Sequence, residues 1–396
     1  MPGTEIFGEE EKKEVLDVLN TGVLMRYNHE DERKNCWKAK TFEQEFAAYH
    51  DVHYCHMCAS GTSADAIALA ACGVGIGDEV IVTPFSFIAP VETVLEAGAV
   101  PVFAEIDETL CLAPEGIKAA ITPKTKAVLL VQVFGGIGKM DEIIQVCADH
   151  NLILIEDAAP ALGGTQHGKR AGTFGKMGCF SFDFYKIITA GEGGAVITND
   201  EVCYNKSHMY SDHGHDHKAK HRGEDQHPIL GFNYRISELN AAVGLAQFRK
   251  LAYILERLRA NKKIVKEGLR TIRQLTFRHV IDEEGDCATS LAFFLPDKGT
   301  TQRVKKAFDA QGIPCTYWLE NNFHYIGNWD HLKNMQSPAR LPITRLAQIP
   351  NFHQVHLPQT ESIIERMLML EIKVKWRPEE VTQMRDKMVC ILQEIV

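Results

Sequence analysis

Lys186 is the residue best placed for covalent chemistry in this chain. It sits in the run Cys179-Phe-Ser-Phe-Asp-Phe-Tyr-Lys186-Ile-Ile-Thr-Ala-Gly-Glu-Gly-Gly-Ala-Val-Ile-Thr198. An apolar strand-like stretch ends at Ser181, and a glycine turn leads from the lysine into a second strand over 195–198. Phe182, Phe184, Tyr185, Ile187 and Ile188 flank it, and partial desolvation favours the neutral amine. That is the form able to attack a carbonyl and hold a Schiff base. A lone lysine in such a run is more often a surface residue on a loop, so its neighbours in the chemistry decide.

Asp157 ends the apolar run Leu152-Ile-Leu-Ile-Glu-Asp157. A carboxylate at a buried strand end is costly unless a cation meets it. A protonated pyridine nitrogen is such a cation, and an Asp–pyridinium pair controls the electronics of pyridoxal phosphate; a helix N-cap is the other reading. Phe87 can stack on a flat ring or simply pack in the core. Ser60-Gly61-Thr62-Ser63 follows a predicted strand and opens a helix. Such a turn offers free N–H groups and a positive dipole end to a phosphate, although the same residues also make ordinary N-caps.

The elements that must position these residues alternate. Strands are expected at 52–59, 79–83, 100–105, 127–133, 152–155 and 195–198. Helices are expected at 5–19, 42–49, 64–72, 90–97 and 140–150. Apolar strands alternating with helices of this length predict βαβ units and a mainly parallel sheet. Ser60, Phe87, Asp157 and Ser181 all follow strands, at the carboxyl edge where such sheets bind ligands. Residues 207–235 read as a long polar loop, of a length that is functional or disordered inside a compact domain. One long helix is expected over 236–259. Beyond it come strands at 276–281, 288–295 and 314–318, and helices at 301–311, 360–371 and 378–395. The reading is a large domain over 1–250 and a smaller α+β domain over 251–396.

A net charge of −9 without a basic stripe argues against a nucleic-acid partner. Residues 1–20 lack the apolar core of a signal peptide, and no run of about 18 apolar residues exists to span a membrane. Eleven cysteines in such a chain are expected as free thiols, and the cytoplasm as its compartment. His213-x-His215-x-His217 invites a metal reading, since alternate residues of a strand share a face. No carboxylate or cysteine stands at a recognised zinc spacing nearby, so polar contacts to substrate or an interface are preferred and no metal is expected. Cys55-His-Met-Cys58 lies in a predicted buried strand and reads as core thiols.

In order and spacing, the motifs Ser60-Gly61-Thr62, 84–89, Ile155-Glu-Asp157-Ala-Ala159, Ser181-Phe-x-x-x-Lys186, Gly191-Glu-Gly-Gly194 and Gly231-Phe-Asn-Tyr-Arg235-Ile-Ser-Glu238 resemble the DegT/StrS-type sugar aminotransferases, a family of fold-type I pyridoxal-phosphate enzymes. The resemblance implies an α/β fold with a mainly parallel central sheet flanked by helices, and a smaller α+β C-terminal domain. It implies that Lys186 holds pyridoxal 5′-phosphate covalently, Asp157 pairs with its ring nitrogen and Phe87 covers the ring. Ser181 with Gly61, Thr62 and Ser63 would hold the phosphate, and Asn233 would reach it from the other subunit of a homodimer with shared active sites. The implied reaction moves an amino group from an amino acid, glutamate by expectation, to a keto- or aldehydo-sugar.

Within the family, Arg26-Tyr-Asn28, residues 103–112, 211–217 and 321–325 are similar to members that aminate an octulosonate of bacterial lipopolysaccharide. Arg26, Arg33, His213, His215, His217, Asn321, His324 and Tyr325 are therefore candidate substrate contacts, the cations among them for the sugar carboxylate. Two departures stand out. Pro160 replaces the Gln or His that usually contacts the cofactor's phenolic oxygen, and Asp183-Phe184-Tyr185 replaces His-Pro-Thr. Two rival readings follow. One is a sugar dehydratase, although those relatives carry histidine in place of the lysine; the other is a catalytically silent sugar-binding relative.

Overall fold

The apolar runs form β1 (Tyr54–Cys58), β2 (Glu79–Val82), β3 (Val100–Phe103), β4 (Thr125–Val131) and β5 (Ile153–Asp157). After a small ribbon of β6 (Thr165–Gln166) and β7 (Lys169–Arg170) come β8 (Met177–Ser181) and β9 (Gly194–Thr198). These elements belong to a computed structural model that describes residues 2–219, 221–347 and 349–396; Met1, Lys220 and Gln348 lie outside the described residues. Without the ribbon, they build one seven-stranded sheet in the order β1-β9-β8-β5-β4-β2-β3. Neighbours from β3 across to β8 are parallel, while β9 is antiparallel to both β8 and β1. Only β9 is reversed, so the carboxyl ends of all the other strands share one edge. The turns carrying Ser60, Phe87 and Asp157, and the loop after Ser181, leave from that edge.

Both faces of this sheet must be covered, because central parallel strands are apolar on both sides. Alternation along β8 does the sorting. Phe180, with Phe182 just beyond the strand, enters one core with Phe42, Phe46 and Phe248; Met177 and Cys179 enter the other with Ala64 and Ile67. Ring centroids stand 5.0 Å apart for Phe46–Phe180 and for Phe42–Phe182. Burying each such ring is worth about 1.5–3 kcal/mol, so the chain is pinned just before the Lys186 loop begins.

A second sheet of β10 (Thr276–Phe277), β11 (Ser290–Phe294), β12 (Cys315–Thr316) and β13 (Met367–Glu371) runs β10-β11-β13-β12, antiparallel throughout. The helices Leu251–Leu269, Lys298–Ala310 and Pro378–Ile395 bury Leu258, Val265, Val304, Phe308, Val381 and Met388 in the core it shares. Among the described residues, no helix is long and apolar enough to cross a membrane.

Several elements differ from expectation. The single helix over 236–259 is two, Glu238–Phe248 and Leu251–Leu269. At the junction Arg249 pairs with Glu14 and Glu45, and Lys250 with Glu10 and Glu11, so two adjacent cations tie the break to the N-terminal helices. The helix expected over 360–371 ends at Ile364, and Met367–Glu371 is the strand between β11 and β12. Its Met-Leu-Met-Leu run is apolar at every position, a pattern that does not separate strand from helix. The polar stretch from 207 begins inside a helix, Glu201–Tyr210. The strand expected over 276–281 shortens to two residues.

Candidate active site

Asp157 closes β5 at the carboxyl edge and is 7% exposed. Its Oδ1 accepts the Ala159 N–H at 3.0 Å, the one hydrogen bond to this carboxylate among the described residues. Burial raises its pKa, and the Lys186 ammonium and that N–H oppose the rise. The preceding residue faces the other way and is satisfied within the fold. Glu156 accepts from Gln132 Nε2 and from the N–H groups of Gly172, Phe174 and Gly175 at 2.6–3.0 Å. Of these two buried acids, Asp157 is the one left with capacity for a cation.

Helix Gly61–Ala71 starts at the same edge. Ser60 is its N-cap, with Oγ accepting the Ser63 N–H at 3.0 Å, so the ordinary capping role is present. The N–H groups of Gly61 and Thr62 have no partner among the described residues, as the first turn of a helix dictates. Ser181 stands against this turn. A Cβ on Gly61 would come within 2.6 Å of the Ser181 Cβ, so only glycine lets the helix end approach the serine so closely.

The Lys186 loop is built by short bonds. Ser181 Oγ accepts the Asp183 N–H at 3.2 Å, Asp183 Oδ1 accepts the Tyr185 N–H at 2.8 Å, and the Lys186 N–H reaches the Asp183 carbonyl at 3.1 Å. Ile187 and Ile188 anchor it in the core, and Asn240 Nδ2 donates to the Ala190 carbonyl at 2.8 Å. Phe184 and Tyr185 are exposed and do not shield the lysine; Phe182, Ile187 and Ile188 are buried. Lys186 is half-buried and within electrostatic reach of Asp157 and His324.

His324 brings the C-terminal part of the chain to the site. Its Nδ1 meets Asn321 Oδ1 at 3.0 Å, and its ring lies 4.6 Å from Trp318, 5.7 Å from Phe134 and 5.8 Å from Phe87. Burial, and then the Lys186 charge, lowers its pKa to about 4, so the imidazole is neutral at neutral pH. The Ile326 N–H bonds the Pro84 carbonyl at 3.0 Å and Tyr325 bridges Phe85, which joins this stretch to the turn carrying Phe87. Phe87 itself is 47% exposed.

The remaining candidates lie in other surroundings. Arg26 donates to the Met57 carbonyl and to Glu43 Oε1, both at 2.5 Å, and is buried. Arg33 is fully buried against Glu238 at 3.3 Å and lies over the Trp37 ring. Both guanidiniums are already neutralised inside this chain. His213, His215 and His217 do not alternate along a strand. His213 is exposed, His215 meets Asp225 at 3.3 Å, and His217 stacks on Tyr27 at 4.1 Å and meets Asp212 at 3.3 Å. Asn233 is exposed and bridges Asp212 through its backbone.

A family model for DegT/DnrJ/EryC1/StrS aminotransferases matches residues 5–389. The chain belongs to the DegT/DnrJ/EryC1/StrS aminotransferase family. The GDP-perosamine synthase of Caulobacter vibrioides is 42% identical over 225 residues, 57% of this chain and 59% of that protein. The L-glutamine:2-deoxy-scyllo-inosose aminotransferase of Micromonospora echinospora is 38% identical over 241 residues, 58% of this chain and 57% of that protein. The matched region thus spans less than two thirds of either relative. Among solved structures, the aminotransferase from Psychrobacter cryohalolentis superposes with a TM-score of 0.85 at 28% identity, covering 98% of both chains.

Aminotransferases of this family use pyridoxal 5′-phosphate, and the residues present fit it. The unpartnered N–H groups of Gly61 and Thr62 beside Ser181 suit a phosphate, and the under-bonded buried carboxylate of Asp157 suits a pyridinium. Motif spacing does not point to Phe134 and Trp318, which pack on His324, or to Asp65, which interacts with Asp157 and Lys186. An acid in the alanine-rich face of a buried helix was the legible signal for Asp65. Gly61→Ala is expected to push the helix end off Ser181, weakening cofactor binding about tenfold or more, equivalent to about 1.4 kcal/mol, and lowering the thermal unfolding midpoint of the cofactor-free protein as well. Equilibrium dialysis against pyridoxal phosphate measures it, and unchanged affinity would show that the phosphate lies elsewhere.

Proposed function

We propose that this protein is a cytoplasmic pyridoxal-phosphate-dependent aminotransferase that moves an amino group from an amino acid, glutamate by preference, to a keto- or aldehydo-sugar. The observation that carries this reading is Lys186, half-buried on the loop that leaves Ser181, at the carboxyl edge that also holds the under-bonded Asp157 and the open first turn of helix Gly61–Ala71. The bound cofactor supplies an aldehyde to carry the amino group and a ring to take up carbanion charge. Asp157 holds the proton on the ring nitrogen. Lys186 Nζ removes the proton from the donor's α-carbon and returns one on the sugar half of the cycle. The first-turn N–H groups and Ser181 orient the phosphate. His324, neutral and fixed by Asn321, supplies a donor or acceptor near Lys186 that Pro160 cannot.

A lysine at position 186 favours transamination over the dehydratase reading, whose relatives carry histidine there. For the sugar, we favour an octulosonate. Two of the four stretches similar to octulosonate-aminating relatives meet in this fold: the Tyr27 ring of 26–28 stacks on His217 of 211–217 at 4.1 Å. With Arg26 and Arg33 neutralised by Glu43 and Glu238, and His215 and His217 facing Asp225 and Asp212, the exposed His213 is the loop histidine left to meet the sugar carboxylate. The enzyme is taken to act as a homodimer in which Asn233 reaches the partner's phosphate. Its exposure supports this, as does that of Phe232 (51%) and Leu230 (93%) beside it.

Mass spectrometry of products from a panel of acidic, neutral and nucleotide-linked keto- and aldehydo-sugars with glutamate tests the reaction. An aminated octulosonate is expected. Amination of a nucleotide-linked sugar alone would replace the substrate, and no amination of any sugar would favour the silent relative. In the same assay, Lys186→Ala should lose more than about a thousandfold and Asp157→Asn about a hundredfold or more in turnover. Near-normal rates would remove those roles.

The dimer is tested by mixing Asn233→Ala subunits with Lys186→Ala subunits at limiting cofactor. Shared sites give each mixed dimer one site free of both changes, so activity partly returns. No recovery in demonstrably mixed dimers would place both residues in one subunit's site.

A further inference from the structure

A second buried carboxylate stands behind Asp157. Asp65 lies one turn into helix Gly61–Ala71, is 2% exposed, and its Oδ1 has no partner among the described residues. Asp157 and Cys179 are paired across β5 and β8, which puts their side chains on one face of the sheet. The helix lies across that face, with the Cys179 thiol donating to the Ala64 carbonyl at 3.5 Å. The ionisable groups that face Asp65 are Asp157 from β5, Lys186 from its loop, Cys179 from β8 and Cys58 from β1.

Two carboxylates in a site this dry do not both ionise, because like charges at short range in low dielectric repel strongly. Their surroundings decide which one keeps the proton. Asp157 accepts a backbone N–H at 3.0 Å and ends the strand at the edge where the cofactor's ring nitrogen would lie. Asp65 has an unpartnered oxygen, and the Cys179 thiol that faces it, a weak donor, already donates to the Ala64 carbonyl at 3.5 Å. We propose that Asp65 is a positioning residue that remains a neutral acid behind Asp157, so that the ring end of the pocket carries a single negative charge held on Asp157. This rests on the cofactor reading above. The acid hydrogen then supplies a donor to a place otherwise rich in acceptors, and it steadies the ionised form of Asp157. Burial followed by the Asp157 charge raises the Asp65 pKa well above the carboxylate range, in keeping with this assignment.

The test compares Asp65→Asn and Asp65→Leu with wild type, all loaded with pyridoxal phosphate. It follows the pH midpoint of the visible cofactor band, the rate of cofactor release on dilution, and the infrared stretch of a protonated carboxyl. Asparagine keeps a neutral donor, so the midpoint and retention of wild type are expected. Leucine removes the donor, and release about tenfold faster with a shifted midpoint is expected. The wild-type protein should show a protonated-carboxyl stretch that Asp65→Asn lacks. A shifted midpoint in Asp65→Asn, no infrared difference, or a folded Asp65→Leu indistinguishable from wild type would overturn the proposal. If the leucine variant does not fold, the asparagine midpoint and the infrared difference still decide. A wild-type protein that binds no cofactor would overturn the cofactor reading as well, whereas a normal wild-type band with any of those contrary results removes only the role of Asp65.

Discussion

A carboxyl group held out of water at the end of β5 is the constraint from which the rest of this structure can be understood. Asp157 is nearly fully buried and has one hydrogen bond from the protein. Such a carboxylate is expensive to maintain unless a cation completes it. The lysine on the neighbouring loop meets part of that need within the chain, and a protonated heteroaromatic ring would meet the rest. Glu156 shows the contrast: one residue earlier in the chain, it is fully bonded by four donors and belongs to the fold.

Holding Asp157, Ser181 and Lys186 near one another requires strands of one direction and a rigid exit from β8. The parallel order β3-β2-β4-β5-β8 puts the functional turns on one edge. The reversed strand β9 then brings the chain straight back from the Lys186 loop, so the loop is tethered at both ends. Beneath it, the cluster of Phe42, Phe46, Phe180, Phe182 and Phe248 makes its base stiff. The C-terminal region adds the remaining wall through Trp318 and His324, joined to the turn after β2 by backbone bonds. The site is therefore assembled from distant parts of the chain, each held by packing or main-chain hydrogen bonds.

Much of this was legible because apolar runs ending in small or charged residues are what parallel strands look like in sequence. Ser60, Phe87, Asp157 and Ser181 were placed at strand ends by that pattern, and the structure puts them on a common edge. The sheet's reversed strand was not legible, since direction depends on how the loop closes. The run Met367–Glu371 failed because uniform apolarity carries no period, and the helix Glu201–Tyr210 because its polar surface hides a weak stripe. In the candidate site, spacing grouped Ser60, Asp157, Ser181 and Lys186, which the fold gathers at one edge. The burial of Arg26 and Arg33 was not legible, because their partners Glu43 and Glu238 are remote in sequence. Nor was the packing of His324 against Phe134 and Phe87, which depends on how the C-terminal stretch folds back.

In the function proposed, Lys186 carries pyridoxal phosphate in a pocket completed by Asp157 and the turn at Ser60. Peptide mapping by mass spectrometry, after incubation with pyridoxal phosphate and borohydride reduction, tests it most directly. A stoichiometric phosphopyridoxyl mass is expected on the peptide containing Lys186, and none on that peptide when glutamate is added before reduction. Labelling spread over surface lysines, or absent from Lys186, would contradict it.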